Sequence, residues 1–152
     1  MCTGIALSRQ EVPARLAGQI ATHLYVRASR EEYQFHWWQT PTLLPVHWNG
    51  GLQCVRWGSK SRRSRLPYGG WLEEEHRASL LPSGSLADVV IPASLGYERG
   101  TWFLIDMGIR GVAVRDEDGS PIVYMLMKRS TNYYRNMTQQ SPLMPIFIEQ
   151  VI

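Results

Sequence analysis

The second residue of this chain is a cysteine placed directly after Met1, a position that allows chemistry no interior cysteine can perform. Methionine is normally trimmed before a small side chain, and cysteine qualifies. Trimming would leave Cys2 with an α-amino group and a thiol on adjacent carbons. An α-amine has an ordinary pKa of about 8, so a sizeable fraction is neutral and nucleophilic at physiological pH. Such an amine attacks an aldehyde to form a Schiff base, and the adjacent thiol can then close on the same carbon. The product is a five-membered thiazolidine ring.

The next group of chemically suggestive residues is basic. Net charge is only +3, but fourteen arginines and two lysines supply the positive side. Arginine suits forked contacts to phosphate and stacking on flat rings. Arg56, Lys60, Arg62, Arg63 and Arg65 fall in one run with no acid among them, beside several tryptophans. That pattern fits a nucleic-acid surface, with a solvated loop as the simpler reading. Metal chemistry is not indicated: His23, His36, His47 and His76 are scattered, and no CxxC or HxxxH pair occurs. Two cysteines, Cys2 and Cys54, make no disulfide framework. No cofactor is expected.

These residues must be positioned by one domain spanning residues 1–152, a length that buries about two-thirds of the unfolded surface. No apolar run approaches the roughly 20 residues of a membrane span. The N-terminus lacks a basic-then-apolar secretory pattern, so a cytoplasmic protein without membrane contact is expected. Residues 3 to 7 suit a buried strand. Val12, Leu16, Ile20 and Leu24 recur every four residues, which predicts a helix starting at Pro13 and running to about Val26. Asn49-Gly50 between apolar flanks predicts a hairpin, and the Asp116 to Gly119 turn predicts another. Residues 58 to 88 read as loop with at most a brief helix. Strands are expected at 89–92, 101–105, 109–115, 122–127 and 145–148, with a helical turn within 130–138. The fold class is α+β, predominantly β: a barrel of short mixed strands with one clear N-terminal helix. Trp37, Trp38, Trp48, Trp71 and Trp102 are expected mainly in the core.

Five short blocks, in order along nearly the whole chain, resemble the SOS response-associated peptidase (SRAP) family. Cys2 after Met1 resembles "MCGR", Thr40-Pro41-Thr42 with Pro45-Val46 resembles "APTQ…PV", and Val55-Arg56-Trp57-Gly58 resembles "MRWG". The stretch from Val90 through Ile91-Pro92-Ala93 to Tyr97-Glu98 resembles "LVPADGFYE", and Met144-Pro145-Ile146 the end of "H-x-RMPVIL". The resemblance implies a protein that binds single-stranded or junction DNA and captures abasic sites as a thiazolidine crosslink. It makes Cys2 the nucleophile and Glu98 the catalytic carboxylate. It places Pro41, Arg56 and Trp57 at the DNA, and the neighbouring charge of Arg62, Arg63 and Arg65 is expected to add phosphate contacts.

The chain also departs from the family pattern. Thr3-Gly4 replaces Gly-Arg after the cysteine. Residues 69–74 lack the asparagine of the "NAR-x-E" block, and Ser141 stands where the family histidine is expected. Serine is no imidazole base at neutral pH. Two other readings therefore stay open: a catalytically degenerate protein that binds DNA without a covalent bond, and a cysteine-dependent peptidase or autopeptidase. The last lacks an evident histidine partner for the thiol.

Overall fold

Short β-branched and aromatic runs, cut by tight turns, build twelve strands among the described residues. The computed structural model describes residues 1–83 and 86–150. In chain order the strands are β1 (Gly4–Ser8), β2 (Leu24–Arg27), β3 (Arg30–His36), β4 (Leu43–Trp48), β5 (Gly51–Trp57) and β6 (Trp71–Glu73). They continue with β7 (Ala87–Ile91), β8 (Leu95–Glu98), β9 (Thr101–Leu104), β10 (Ile109–Arg115), β11 (Pro121–Arg129) and β12 (Leu143–Pro145). One α-helix, α1 (Asn132–Met137), is present among the described residues. The protein is thus α+β and mostly β, with 47% of residues in strands.

Two sheets share the chain. The first is antiparallel, in the order β2-β3-β1-β8-β9. In the second, β10, β7, β4, β5 and β11 pair in sequence and β10 pairs back to β11, closing a five-stranded barrel. The long β11 runs beyond the barrel, where β6 lies parallel to it and β12 antiparallel. Closure removes the free edges that short strands would otherwise expose.

Turn chemistry sets the registers. Asn49 and Gly50 both have positive φ (54° and 77°) and join β4 to β5 as expected. The β2–β3 turn, Ala28-Ser29, and the β8–β9 turn, Arg99-Gly100, also place both central residues at positive φ. The first of these carries no Asn or Gly, so no sequence signal marks it.

The N-terminal helix expected over residues 13 to 26 does not form. Three-residue 3-10 segments occupy Arg9–Glu11, Ala14–Leu16 and Ala21–His23, and the chain then enters β2. Leu16 and Ile20 are buried as the stripe predicts, but Leu24 is 37% exposed. The strand preference of Tyr25 and Val26, paired with β3, outcompetes propagation of a helix that holds Gly18 in its middle. Residues 58 to 88, expected as loop with at most a brief helix, also hold β6, a 3-10 segment, Glu74–Ser83, and the start of β7; residues 84 and 85 of that stretch lie outside the described residues. The helical turn expected within 130–138 is α1, and the last expected strand begins two residues early and ends at Pro145, as β12.

The main core lies between the inner face of the first sheet and the barrel. It includes Ile5, Phe35, Leu44, Ile91, Phe103, Val123, Met125 and Cys2 itself. On β11 the alternate residues Ile122, Tyr124 and Leu126 enter a second cluster with Leu66, Leu72 and Leu80. Burial on both faces explains why β11 reads as a continuous apolar run.

Candidate active site at the N-terminus

The N-terminal segment is held from three sides before it becomes a strand. Thr3 donates its N–H to the Tyr97 carbonyl at 2.9 Å, and its own carbonyl accepts from Trp37 N at 2.9 Å. The indole N–H of Trp71 donates to the Cys2 carbonyl at 2.8 Å. Gly4 sits opposite His36 and Tyr97, and a Cβ there would collide with the His36 ring. A glycine is therefore required two residues after the cysteine.

Three of the sequence-derived site residues meet here. Glu98 ends β8 and is 1% exposed. The Met1 amine lies 2.5 Å from Glu98 Oε1 and donates to Ser141 Oγ at 2.8 Å. Ser141 in turn donates to Glu98 Oε1 at 2.8 Å and contacts the Leu143 carbonyl at 3.2 Å. A carboxylate this deeply buried needs a charge or hydrogen-bond partner, and the chain-terminal amine is one. The loop carrying Ser141 is clamped to the β8–β9 turn: Arg99 donates to the Gln139 carbonyl at 2.7 Å, and Gln139 returns a bond to the Arg99 carbonyl at 3.3 Å.

The amine and the thiol differ in access. Met1 is 41% exposed, whereas Cys2 is 0% exposed. Burial pushes the Cys2 thiol up to about 12, against smaller opposing effects of the Gly4 and Tyr97 backbone. The thiol donates to the Gly4 carbonyl at 3.2 Å. Protonated and enclosed, it is a poor first nucleophile. An aldehyde reaching this site would meet the amine first.

Beside the site, Trp71 packs against Trp37 and Trp57 with ring centroids 5.0 and 5.4 Å apart. Trp57, expected at the DNA, is 1% exposed and donates to the Gly70 carbonyl at 2.8 Å. It is core, and no face is free for a base. Trp38, expected in the core, is instead 67% exposed and lies parallel to the buried His36 ring at 5.2 Å. Burial lowers the His36 pKa, helped by His23 and opposed by Glu32.

A cleft of about 730 Å³ opens beside Trp57, lined in part by Thr40, Pro41, Arg56, Lys60 and Arg63. The β10–β11 turn adds Asp116, Glu117 and Asp118 to the lining. Arg56 is ion-paired with Asp116, and Lys60 sits 4.6 Å over the Trp37 ring. Arg62 stacks on Tyr68 at 4.4 Å, and Arg65 is highly exposed with a loose 3.8 Å approach to Glu117. Arg56, Lys60 and Arg63 of the basic run thus line the opening while Arg62 and Arg65 lie outside its lining, and part of the charge is answered by the acidic turn. Glu73, Glu75 and His76 bring potential metal-ligand atoms within 4.8 Å of one another at the surface. No helix among the described residues is long and apolar enough to cross a membrane.

Sequence reading gave no site role to Trp71 or Arg99, because hydrogen bonds to backbone and loop clamps leave no spacing signal. A scan against protein-family models, a search of curated proteins and a search of solved structures returned no match.

Proposed function

We propose that this chain, as an SRAP-like protein acting in the cytoplasm, captures abasic sites in single-stranded or junction DNA through Cys2 after loss of Met1. The observation that carries the reading is the chain-terminal amine held against buried Glu98 and Ser141. Thr3 is anchored on two strands, so removing one residue leaves only Cys2 to adjust. Consecutive Cα atoms are about 3.8 Å apart. A shift of about that size is what the reading requires to bring the new amine to the carboxylate.

The neutral amine of Cys2 then attacks the ring-opened sugar aldehyde, forming a C–N bond. The carbinolamine oxygen takes protons by way of Glu98 and leaves as water. The thiol gives its proton to Glu98 and its sulfur bonds the iminium carbon, returning the C=N electron pair to nitrogen. One water is lost and no redox partner is needed. Lys60 and Arg63 supply phosphate contacts at the cleft, and Trp38 offers an open face for a base.

A thiol hydrolase fits less well. It needs an ionised thiol beside an imidazolium. Burial holds the Cys2 thiol up and the His36 ring down in pKa, the opposite of that pairing. The reading is tested by incubating the Met1-trimmed protein with abasic single-stranded DNA and resolving it under denaturing conditions. A heat-stable adduct is expected from the wild type, and only a hydride-trappable one from Cys2→Ser, which keeps the amine. Salt-sensitive binding with no adduct would leave the non-covalent alternative in its place.

A further inference from the structure

Tyr134 is 0% exposed, yet its hydroxyl has no hydrogen-bond partner among the described residues. A buried hydroxyl left unpaired costs about 1–3 kcal/mol, and such groups are rare enough to require a reason. The fold fixes this one firmly. Thr131 caps α1 by accepting from Tyr134 N at 3.2 Å, and Thr138 Oγ1 donates to the Tyr134 carbonyl at 2.6 Å. The ring stands edge-on to Phe103 at 5.5 Å and tilted against Phe147 at 6.4 Å. Phe103 faces Gly96 on the inner side of the first sheet, the side that carries Glu98 two residues on. Tyr134 also belongs to the same packed cluster as Cys2.

We propose that the Tyr134 hydroxyl is the hydrogen-bond donor for the Cys2 sulfur while the thiazolidine ring closes, a catalytic role that rests on the reading above. The chemistry asks for such a group. The thiol must lose its proton to Glu98 in an apolar enclosure, where an unsupported anion is costly. An O–H donor brought within reach of the sulfur would offset that cost without giving up its own proton. The sulfur then bonds the iminium carbon, and Tyr134 ends the step protonated as it began. Burial, followed by the charges of Cys2 and Glu98, raises the Tyr134 pKa well above the usual tyrosine range. The hydroxyl therefore serves as a donor and not as a base. With Met1 in place the thiol instead donates to the Gly4 carbonyl, which leaves the hydroxyl unpaired; the bond forms when Cys2 moves after Met1 is lost.

The test separates the two halves of the reaction with Tyr134→Phe in the Met1-trimmed protein. Schiff-base formation is read by trapping with cyanoborohydride at early times, and ring closure by the appearance of adduct that resists reduction. Tyr134→Phe is expected to form the trappable Schiff base at the wild-type rate and to close the ring at least tenfold more slowly. Its melting temperature should be unchanged or higher, because an unpaired hydroxyl has been removed. Tyr133→Phe, the exposed neighbour, should match wild type in both steps. Equal ring-closure rates for Tyr134→Phe and wild type would overturn the proposal while leaving abasic-site capture intact. A wild-type protein that forms neither species would remove the capture reading, and this one with it.

Discussion

Ser141 Oγ donates to Glu98 Oε1 at 2.8 Å, and this bond ties the loop entering β12 to the last residue of β8. It orients the one buried carboxylate that faces the N-terminal amine. The two residues are asymmetric in role: Glu98 holds the charge, and Ser141 holds Glu98. Glu98→Gln keeps the shape but loses the proton acceptor, so crosslinking to abasic DNA should slow roughly 100-fold or more. Ser141→Ala should slow it by only about tenfold, through a less fixed carboxylate. Single-turnover rates at saturating DNA check both, and equal losses would contradict the division of labour.

Gly4 links the same site to the aromatic stack on the outer face of the first sheet. Gly4→Ala drives a methyl into the His36 ring, which is itself stacked on Trp38 and edge-on to Tyr97 and Trp102. We expect a stability loss of about 1–3 kcal/mol. Denaturant unfolding measures it. The same variant should lose crosslinking beyond the stability effect, because β1 cannot shift without moving Cys2.

The cleft carries a charge balance that can be tipped either way. Asp116 is held below the usual carboxylate range: desolvation pushes it upward, but bonds from Arg56 and the turn backbone outweigh this. Asp116→Asn should free Arg56 and raise affinity for single-stranded DNA severalfold at low salt. Replacing both Lys60 and Arg63 with alanine should lower it. That pair should also flatten the slope of log affinity against log salt by about 1.4, at about 0.7 per lost phosphate contact. Fluorescence anisotropy across a salt series reads both effects.

Alkaline stability follows from buried acids. Burial raises the thiols of Cys2 to about 12 and Cys54 to about 11, and the Tyr124 hydroxyl to about 12. A group raised on folding stabilises fully below its unfolded pKa, about 9 for a thiol and 10 for tyrosine. That contribution is lost as pH climbs to the folded value. Stability should therefore be level up to about pH 8.5 and fall between 9 and 12. Urea midpoints at pH 8, 9.5 and 10.5 check this, and Cys54→Ala should make the decline shallower.

Local signals were strong where one residue type had one job. Asn49-Gly50 announced its hairpin, and β11 announced its burial through an unbroken apolar run. The four-residue stripe from Val12 to Leu24 misled, because Leu16 and Ile20 would be buried by a helix or by successive 3-10 turns. The β2–β3 hairpin was silent: Ala28 and Ser29 adopt positive φ without the residues that advertise it. Cys2, Glu98 and Ser141 were identified through resemblance, and the fold brings all three together. Trp57 and Trp38 exchanged places relative to expectation: Trp57 ends β5 facing the core, whereas Trp38 lies in the turn after β3. The Tyr133-Tyr134-Arg135 cluster reads as packing or cleft lining, and Tyr134 is packed; its unpaired hydroxyl is visible only once its surroundings are known.

The central claim is that the free amine and thiol of Cys2 react together with one aldehyde carbon. Intact mass spectrometry of protein confirmed to begin at Cys2, after incubation with an abasic oligonucleotide, tests it most directly. The account predicts a single adduct equal to protein plus DNA minus one water, resistant to reduction and absent when Met1 is retained. No adduct, or the same adduct from protein that keeps Met1, would contradict it.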